Sequence, residues 1–343
     1  MSTKVTSASI IPVLDLQPLL DGDEAGVRTL AAELKQALQD IGFFSIINHG
    51  VSWQLVEQIY EATQTLHSLP QEQKDAITMD RTHGGYLGMG AGTSYASEIA
   101  GDVRKPNQNE AFFIHEGGYR EANQYPNLQG FKELTATYIQ AMQGLADSLL
   151  PLLALSLDLE PDFFAKDFDE PSVTLRMSHY PVMEYSDNEW GLAPHTDSSI
   201  FTFLPVNDVP GLEVRPAGYD WVQPPVVPCS FVVNSGDMLK RWTNGKYLST
   251  AHRASNLSKV DRYAVPSSMA PETMLWWSQF QPQCRLRRLA VMSQLPTATT
   301  NAGSSTAIIG ALRVKQLQRL HPKVTVPYSR TPATAKSAIF SAS

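Results

Sequence analysis

Three residues carry the chemistry this sequence can offer. His195 and Asp197 stand two apart in the run GLAPHTD, and His252 follows 55 residues after Asp197. Two imidazoles and one carboxylate are the ligand set of a facial triad, which holds non-haem Fe(II) and leaves positions open for reaction. A His-x-Asp pair can sit at the end of a strand and its turn, where alternate side chains point the same way. His252 must then arrive from a second strand, which calls for a small β-barrel or sandwich around the site. No Gly-rich phosphate loop, Ser-His-Asp arrangement or zinc-type cysteine cluster offers a competing chemistry.

The elements that would position these residues can be read from periodicity. Ile11 to Leu16 reads as a first strand, and residues 26 to 40 have apolar positions Val27, Leu30, Leu34 and Leu38 at helical spacing. The run IGFFSIINHGV (41–51) reads as a strand entering a turn, with His49 hydrogen-bonding in that turn rather than holding a metal. Helical spacing returns at Phe131, Leu134, Tyr138, Met142, Leu145, Leu149 and Leu152, with Pro151 expected to kink or end the helix. From Val173 the texture changes to short β-rich runs: Val173 to Tyr180, Ile200 to Leu204, Leu212 to Arg215 and Phe231 to Asn234. Short strands at close spacing with turn signals predict a jelly roll, so the fold class is mixed α/β with a jelly-roll core.

The segments GLAPHTD, NSGDMLKRWTNG, LSTAHRASN and DRYAVP, in that order, together with RMSHYP before them, resemble the core of the isopenicillin N synthase-like 2-oxoglutarate/Fe(II)-dependent dioxygenases. The strand–helix–strand start is similar to the same family, and the resemblance extends over roughly residues 10 to 266. It implies a double-stranded β-helix with flanking helices, in which His195, Asp197 and His252 bind Fe(II). It also implies that 2-oxoglutarate and O2 are cosubstrates, with Arg262 taking the distal carboxylate of 2-oxoglutarate and the Tyr180 hydroxyl reaching the same group. Where the family usually has Ser, two residues after Arg262, this chain has Ala264, and where it often has Asn this chain has Ser178. Ala264 keeps open an oxidase that, like isopenicillin N synthase, uses no 2-oxo acid. Arg176, His179 and Phe201 are candidates for the substrate pocket, with core packing as the alternative for each. Ser249 and Thr250 read as hydrogen-bonding residues, and Asp237 and Gly245 as turn residues. The reaction implied is oxidative decarboxylation of 2-oxoglutarate, coupled to hydroxylation, desaturation or cyclisation of a small organic metabolite in specialised metabolism.

Composition bounds the rest. The net charge of −7 argues against a nucleic-acid partner. No apolar run is long enough for a membrane span, and the two cysteines, Cys229 and Cys284, encode no disulfide framework. A monomeric cytoplasmic enzyme acting on a small molecule is expected. Residues 1–120 read as an N-terminal region, 121–170 as helical support and 171–266 as the jelly-roll core. The character of the chain breaks after Pro266: residues 267–343 carry nine Lys or Arg and the single acid Glu272. Back-translating Ser267 to Gln279 and reading one base earlier permits Phe-Phe followed by a Gly-Pro turn and an Asp-x-x-x-x-Pro element, which the family has at this place. The tail is therefore read as a frame slip, irregular and poorly ordered, and an inactive product of such a gene is a third possibility for the chain.

Overall fold

Alternating burial in the strands builds the frame of the site. In the computed structural model, which describes residues 10–80, 83–92, 105–117 and 122–271, the chain begins with β1 (Val13–Asp15), α1 (Gln17–Asp21), α2 (Glu24–Asp40) and β2 (Phe43–Ile47). Helices α3 (Trp53–His67) and α4 (Gln71–Asp75) follow, then β3 (His83–Leu87), β4 (Glu110–Glu116) and β5 (Ala122–Asn123). The long helix α5 (Phe131–Ser156) leads to β6 (Ser172–Tyr180), β7 (Leu192–His195), β8 (Phe201–Pro205), β9 (Leu212–Val214) and β10 (Phe231–Ser235). After α6 (Asp237–Trp242) come β11 (His252–Ala254), β12 (Arg262–Ala264) and β13 (Ser267–Ala270).

Ten strands form one sheet in the order β1-β2-β10-β8-β13-β6-β4-β3-β5, with β12 also pairing β6, and β7-β11-β9 form a second sheet. Together they are the two halves of a double-stranded β-helix, the jelly-roll core the sequence implied. Residues paired across antiparallel strands point to the same face, so the register sorts the side chains of β6. Thr174, Arg176, Ser178 and Tyr180 share a face with Ser268, Phe113, Ala264 and Arg262 of the neighbouring strands. On the other face Val173, Leu175 and Met177 are fully buried in the main apolar cluster, with Leu145, Leu149 and Leu152 of α5. The interior of the barrel is thus polar, while its outer wall is closed by helices.

Helix α2 starts where Asp23 caps it, the carboxylate accepting from Ala25 N at 3.1 Å, and buries Val27, Leu30, Leu34 and Leu38 at the predicted spacing. Pro151 does not end α5, which runs on to Ser156. Proline inside a helix costs about 3 kcal/mol, but Leu149, Leu150, Leu152 and Leu153 around it are all buried, so packing holds the helix through it.

One boundary needs correction. The tail does not begin at Pro266, because Ser267–Ala270 form β13, antiparallel to both β6 and β8. Its backbone fills the gap between these two strands, which would otherwise expose unpaired donors and acceptors. Ser267 and Met269 alternate into the buried side, so this short stretch has the periodicity of a strand despite its polar composition. The irregular, basic character expected of 272–343 lies outside the described residues.

Candidate metal centre

Pairing of β7 with β11 sets His195 directly opposite His252, with ring centroids 4.2 Å apart at 50°. Each ring turns its Nδ1 to a backbone carbonyl two residues earlier: His195 Nδ1 to Ala193 O at 2.9 Å, His252 Nδ1 to Thr250 O at 3.2 Å. A carbonyl only accepts, so Nδ1 carries the proton and Nε2 presents its lone pair. Both Nε2 atoms lie 3.7 Å from Asp197 Oδ1, and the three ligand atoms are all within 4.8 Å of one another. Two lone pairs and a carboxylate oxygen converging without a proton among them fit a cation bound at about 2.0–2.2 Å.

The surroundings hold this geometry. Asn234 Nδ2 donates to Asp197 Oδ2 at 2.8 Å, and Asp237 N donates to Asp197 O at 2.7 Å. Asp237, read as a turn residue, begins α6 at this point. A methyl group at Gly236 would stand 2.7 Å from Asp197 O and also strike Ser199 O, so only glycine lets the Asp197 loop approach β10. Phe43 packs edge-on against His252 at 5.3 Å. Burial, reinforced by the neighbouring His252, pushes His195 well below the ordinary imidazole value, which leaves it neutral as a ligand must be. Burial works against ionising Asp197, but His252 and His195 outweigh it and hold the carboxyl below the usual range.

Arg262 lies on β12 opposite Tyr180, 4% exposed, with its guanidinium 4.9 Å above the Tyr180 ring. Its Nε and Nη1 are buried without a protein partner. Gly211 makes room for it, since a methyl group there would come within 2.7 Å of Arg262 Nε. A desolvated fork with free donors is a receptor for a carboxylate. The hydroxyl missing at Ala264 faces Ser178, its partner across the strands, whose buried Oγ is also without a hydrogen bond.

Two sequence candidates are moved out of the pocket. Phe201 pairs with Ser235 and Met269 on the outer face, 1% exposed, edge-on to Phe44. The parity of β8 decides this, and the Thr196 to Ile200 turn hides it from sequence. Thr202 is the interior neighbour, its Oγ1 2.9 Å from Ser268 Oγ. His179 likewise points outward, Nδ1 2.7 Å from Glu110 Oε1 and Nε2 3.1 Å from Asp261 Oδ2. Both ring nitrogens face carboxylates, so His179 is an imidazolium; burial opposes this, but the two acids outweigh it and raise its pKa. Arg176 stays on the interior face.

The Glu110 cluster was not anticipated from sequence. Glu110 Oε2 accepts from Lys74 Nζ at 2.8 Å and from the Tyr86 hydroxyl, and His67 Nδ1 lies 3.5 Å from Oε1. Burial opposes the Glu110 charge, but His179, Lys74 and Tyr86 hold the carboxyl far below its ordinary value. His67, Glu110 and His179 come as close together as metal ligands do, yet the Glu110 oxygens already accept these donors, so the cluster is an ion-pair network. His49 takes the structural role expected of it, Nε2 3.0 Å from Cys229 O and Nδ1 accepting from Val51 N at 3.1 Å. Thr250 Oγ1 donates to Ile41 O at 2.6 Å.

Comparison with known proteins agrees with this geometry. Residues 11–135 match the family model described as non-haem dioxygenase in morphine synthesis N-terminal, and residues 171–271 match that of the 2OG-Fe(II) oxygenase superfamily. The chain is 32% identical over 283 residues to homoarginine-6-hydroxylase 2-ODD-C23.1 of Arabidopsis thaliana, covering 76% of this chain and 84% of that protein. It is 28% identical over 306 residues to 1-aminocyclopropane-1-carboxylate oxidase of Dictyostelium mucoroides, covering 76% and 82%. The crystal structure of JOX2 in complex with 2OG, Fe, and JA aligns with a TM-score of 0.66 at 25% identity, over 77% of this chain and 76% of that one. A jelly roll with two histidines and an aspartate converging inside it defines the class of non-haem iron oxygenases. Within that class, the chain belongs to the 2OG-Fe(II) oxygenase superfamily. It is an oxidoreductase of small molecules that uses Fe(II), 2-oxoglutarate and O2. Among the described residues no helix is long and apolar enough to cross a membrane.

Proposed function

We propose that His195, Asp197 and His252 hold the Fe(II), and that Arg262 and Tyr180 receive the distal carboxylate of 2-oxoglutarate. In this reading the chain hydroxylates, desaturates or cyclises a small organic metabolite in specialised metabolism, as a cytoplasmic monomer. Residues 1–120 serve as the N-terminal region, 121–170 as helical support, and the core runs from 171 to the end of β13. The observation that carries the cosubstrate assignment is the buried Arg262 fork with Nε and Nη1 unpartnered. When bound, Fe(II) would let O2 be the oxidant: one oxygen atom would enter succinate as 2-oxoglutarate loses CO2, and the other would oxidise the substrate. The protein's part is to turn both imidazole Nε2 atoms toward the metal position, to hold the Asp197 carboxylate through Asn234, and to keep water from the Arg262 pocket.

Ala264 supports a second reading, an Fe(II) oxidase without a 2-oxo acid, because the family's usual hydroxyl at this place is missing. Release of succinate and CO2 in step with oxygen uptake is expected. Oxygen uptake with substrate but no succinate would favour the oxidase.

A further inference from the structure

The interior face of the barrel holds a second cation besides Arg262. Arg176 stands on β6 four residues before Tyr180, on the same face. Its guanidinium packs on the ring of Phe113, directly across in β4, 5.4 Å from the ring centroid. The residue is half-buried, and its Nε is enclosed with no hydrogen-bond partner. Among the described residues Lys74 is paired with Glu110 and Arg253 with Glu213, whereas Arg176, like Arg262, has no such ion pair. A partly buried cation without a counter-ion is unfavourable, and a ligand that supplies the counter-ion relieves this.

A formal charge count indicates which ligand. Fe(II) with Asp197 leaves one positive charge, the 2-oxoglutarate dianion turns this to one negative charge, and Arg262 brings the sum to zero. Arg176 then remains unbalanced by a single positive charge. One carboxylate neutralises it, and the planar fork matches a carboxylate in two parallel hydrogen bonds. The Phe113 ring beside the fork offers an apolar wall for the carbon skeleton.

We propose that Arg176 binds the carboxylate of the primary substrate, which is therefore a monoanionic organic acid seated against Phe113 on the metal side of the barrel. This rests on the function proposed above, since the charge count includes Fe(II) and 2-oxoglutarate. Calorimetry tests it on the full chain with Fe(II) and 2-oxoglutarate under nitrogen, and again on the chain with neither. The probes are phenylacetate, octanoate and N-acetylleucine, each beside its primary amide. At least one acid should bind on the order of 10- to 100-fold tighter than its amide, the range of a charge-assisted contact. Arg176→Gln should reduce that ratio to near one, and Arg176→Lys should keep part of it. The melting temperature of Arg176→Gln should change little, because only the Phe113 ring contact and no ion pair is lost. No acid preference with any pair, a preference that survives Arg176→Gln, or a marked drop in melting temperature each overturns the assignment. A loss of 2-oxoglutarate affinity in Arg176→Gln overturns it as well, by making Arg176 part of the cosubstrate pocket. Failure of the proposed function shows separately, as absence of 2-oxoglutarate binding to the unsubstituted chain, while the acid–amide comparison without cosubstrate, made in Arg262→Leu to remove the other free guanidinium, still decides Arg176.

Discussion

His195 and His252 face each other across two paired strands, and each aims its Nε2 at the same Asp197 oxygen from 3.7 Å. The convergence depends on groups behind the ligands. Asp197→Ala should abolish retention of Fe(II), measured as metal bound after gel filtration. Asn234→Ala should weaken Fe(II) binding roughly 10- to 100-fold, the usual cost of losing a group that orients a ligand. Undiminished affinity in Asn234→Ala would mean that Asp197 is held without it.

In the proposed function, Arg262 and Ala264 set the cosubstrate affinity. Arg262→Leu should raise the 2-oxoglutarate requirement steeply, since a charge-assisted bond of roughly 1.5–3 kcal/mol is lost. Ala264→Ser adds a hydroxyl on the interior face opposite Ser178 and should tighten 2-oxoglutarate binding by about 0.5–1.5 kcal/mol. Titration of 2-oxoglutarate into the anaerobic Fe(II) protein reads both. Unchanged affinity in Arg262→Leu would send the assignment to the oxidase reading.

The Glu110–His179–Asp261 chain predicts a pH response of stability. The folded pKa of His179 is raised above 6.5, so its contribution is fully present below about that pH and is lost as pH rises through the raised value. Glu110 runs oppositely: its folded pKa is depressed below 4.5, so its contribution is present above that value and fades only as pH falls through the depressed one. Urea unfolding from pH 6 to 9 should therefore show wild-type stability falling toward high pH, with a flatter profile in His179→Gln. Equal slopes for the two proteins would remove His179 from the account.

Strand β13 makes residues beyond Pro266 part of the core. Met269 is 2% exposed among Val173 and Phe201, so Met269→Ala should cost about 2–5 kcal/mol in chemical denaturation. A value near zero would mean that β13 adds nothing to the fold.

The frame slip remains our proposal for the tail. Reading the earlier frame replaces the buried Ser267, which pairs with Leu175 and Phe203 on the helix-facing side, by Phe. That restored chain should be more soluble and more active. A transcript that confirms the printed frame, with full activity of its product, would count against the slip.

The convergence proposed as the metal site was legible in the sequence as a His-x-Asp pair and a distant His inside short β-rich runs, and the resemblance added Arg262 and Tyr180 as candidates. The main helices were legible too, from apolar spacing such as Val27, Leu30, Leu34 and Leu38, which follows from the pitch of the helix itself. Three matters were decided only by tertiary structure. The facing of a strand depends on the turn that precedes it, which hid the outward side of Phe201, whereas His179 follows from alternation once Arg176 and Tyr180 of the same strand face inward. The Glu110 network joins α3, α4, β3, β4 and β6, elements whose meeting no local pattern encodes. The strand at Ser267–Ala270 exists because β6 and β8 leave a gap that a backbone must fill, a demand made by the sheet rather than by the four residues that meet it.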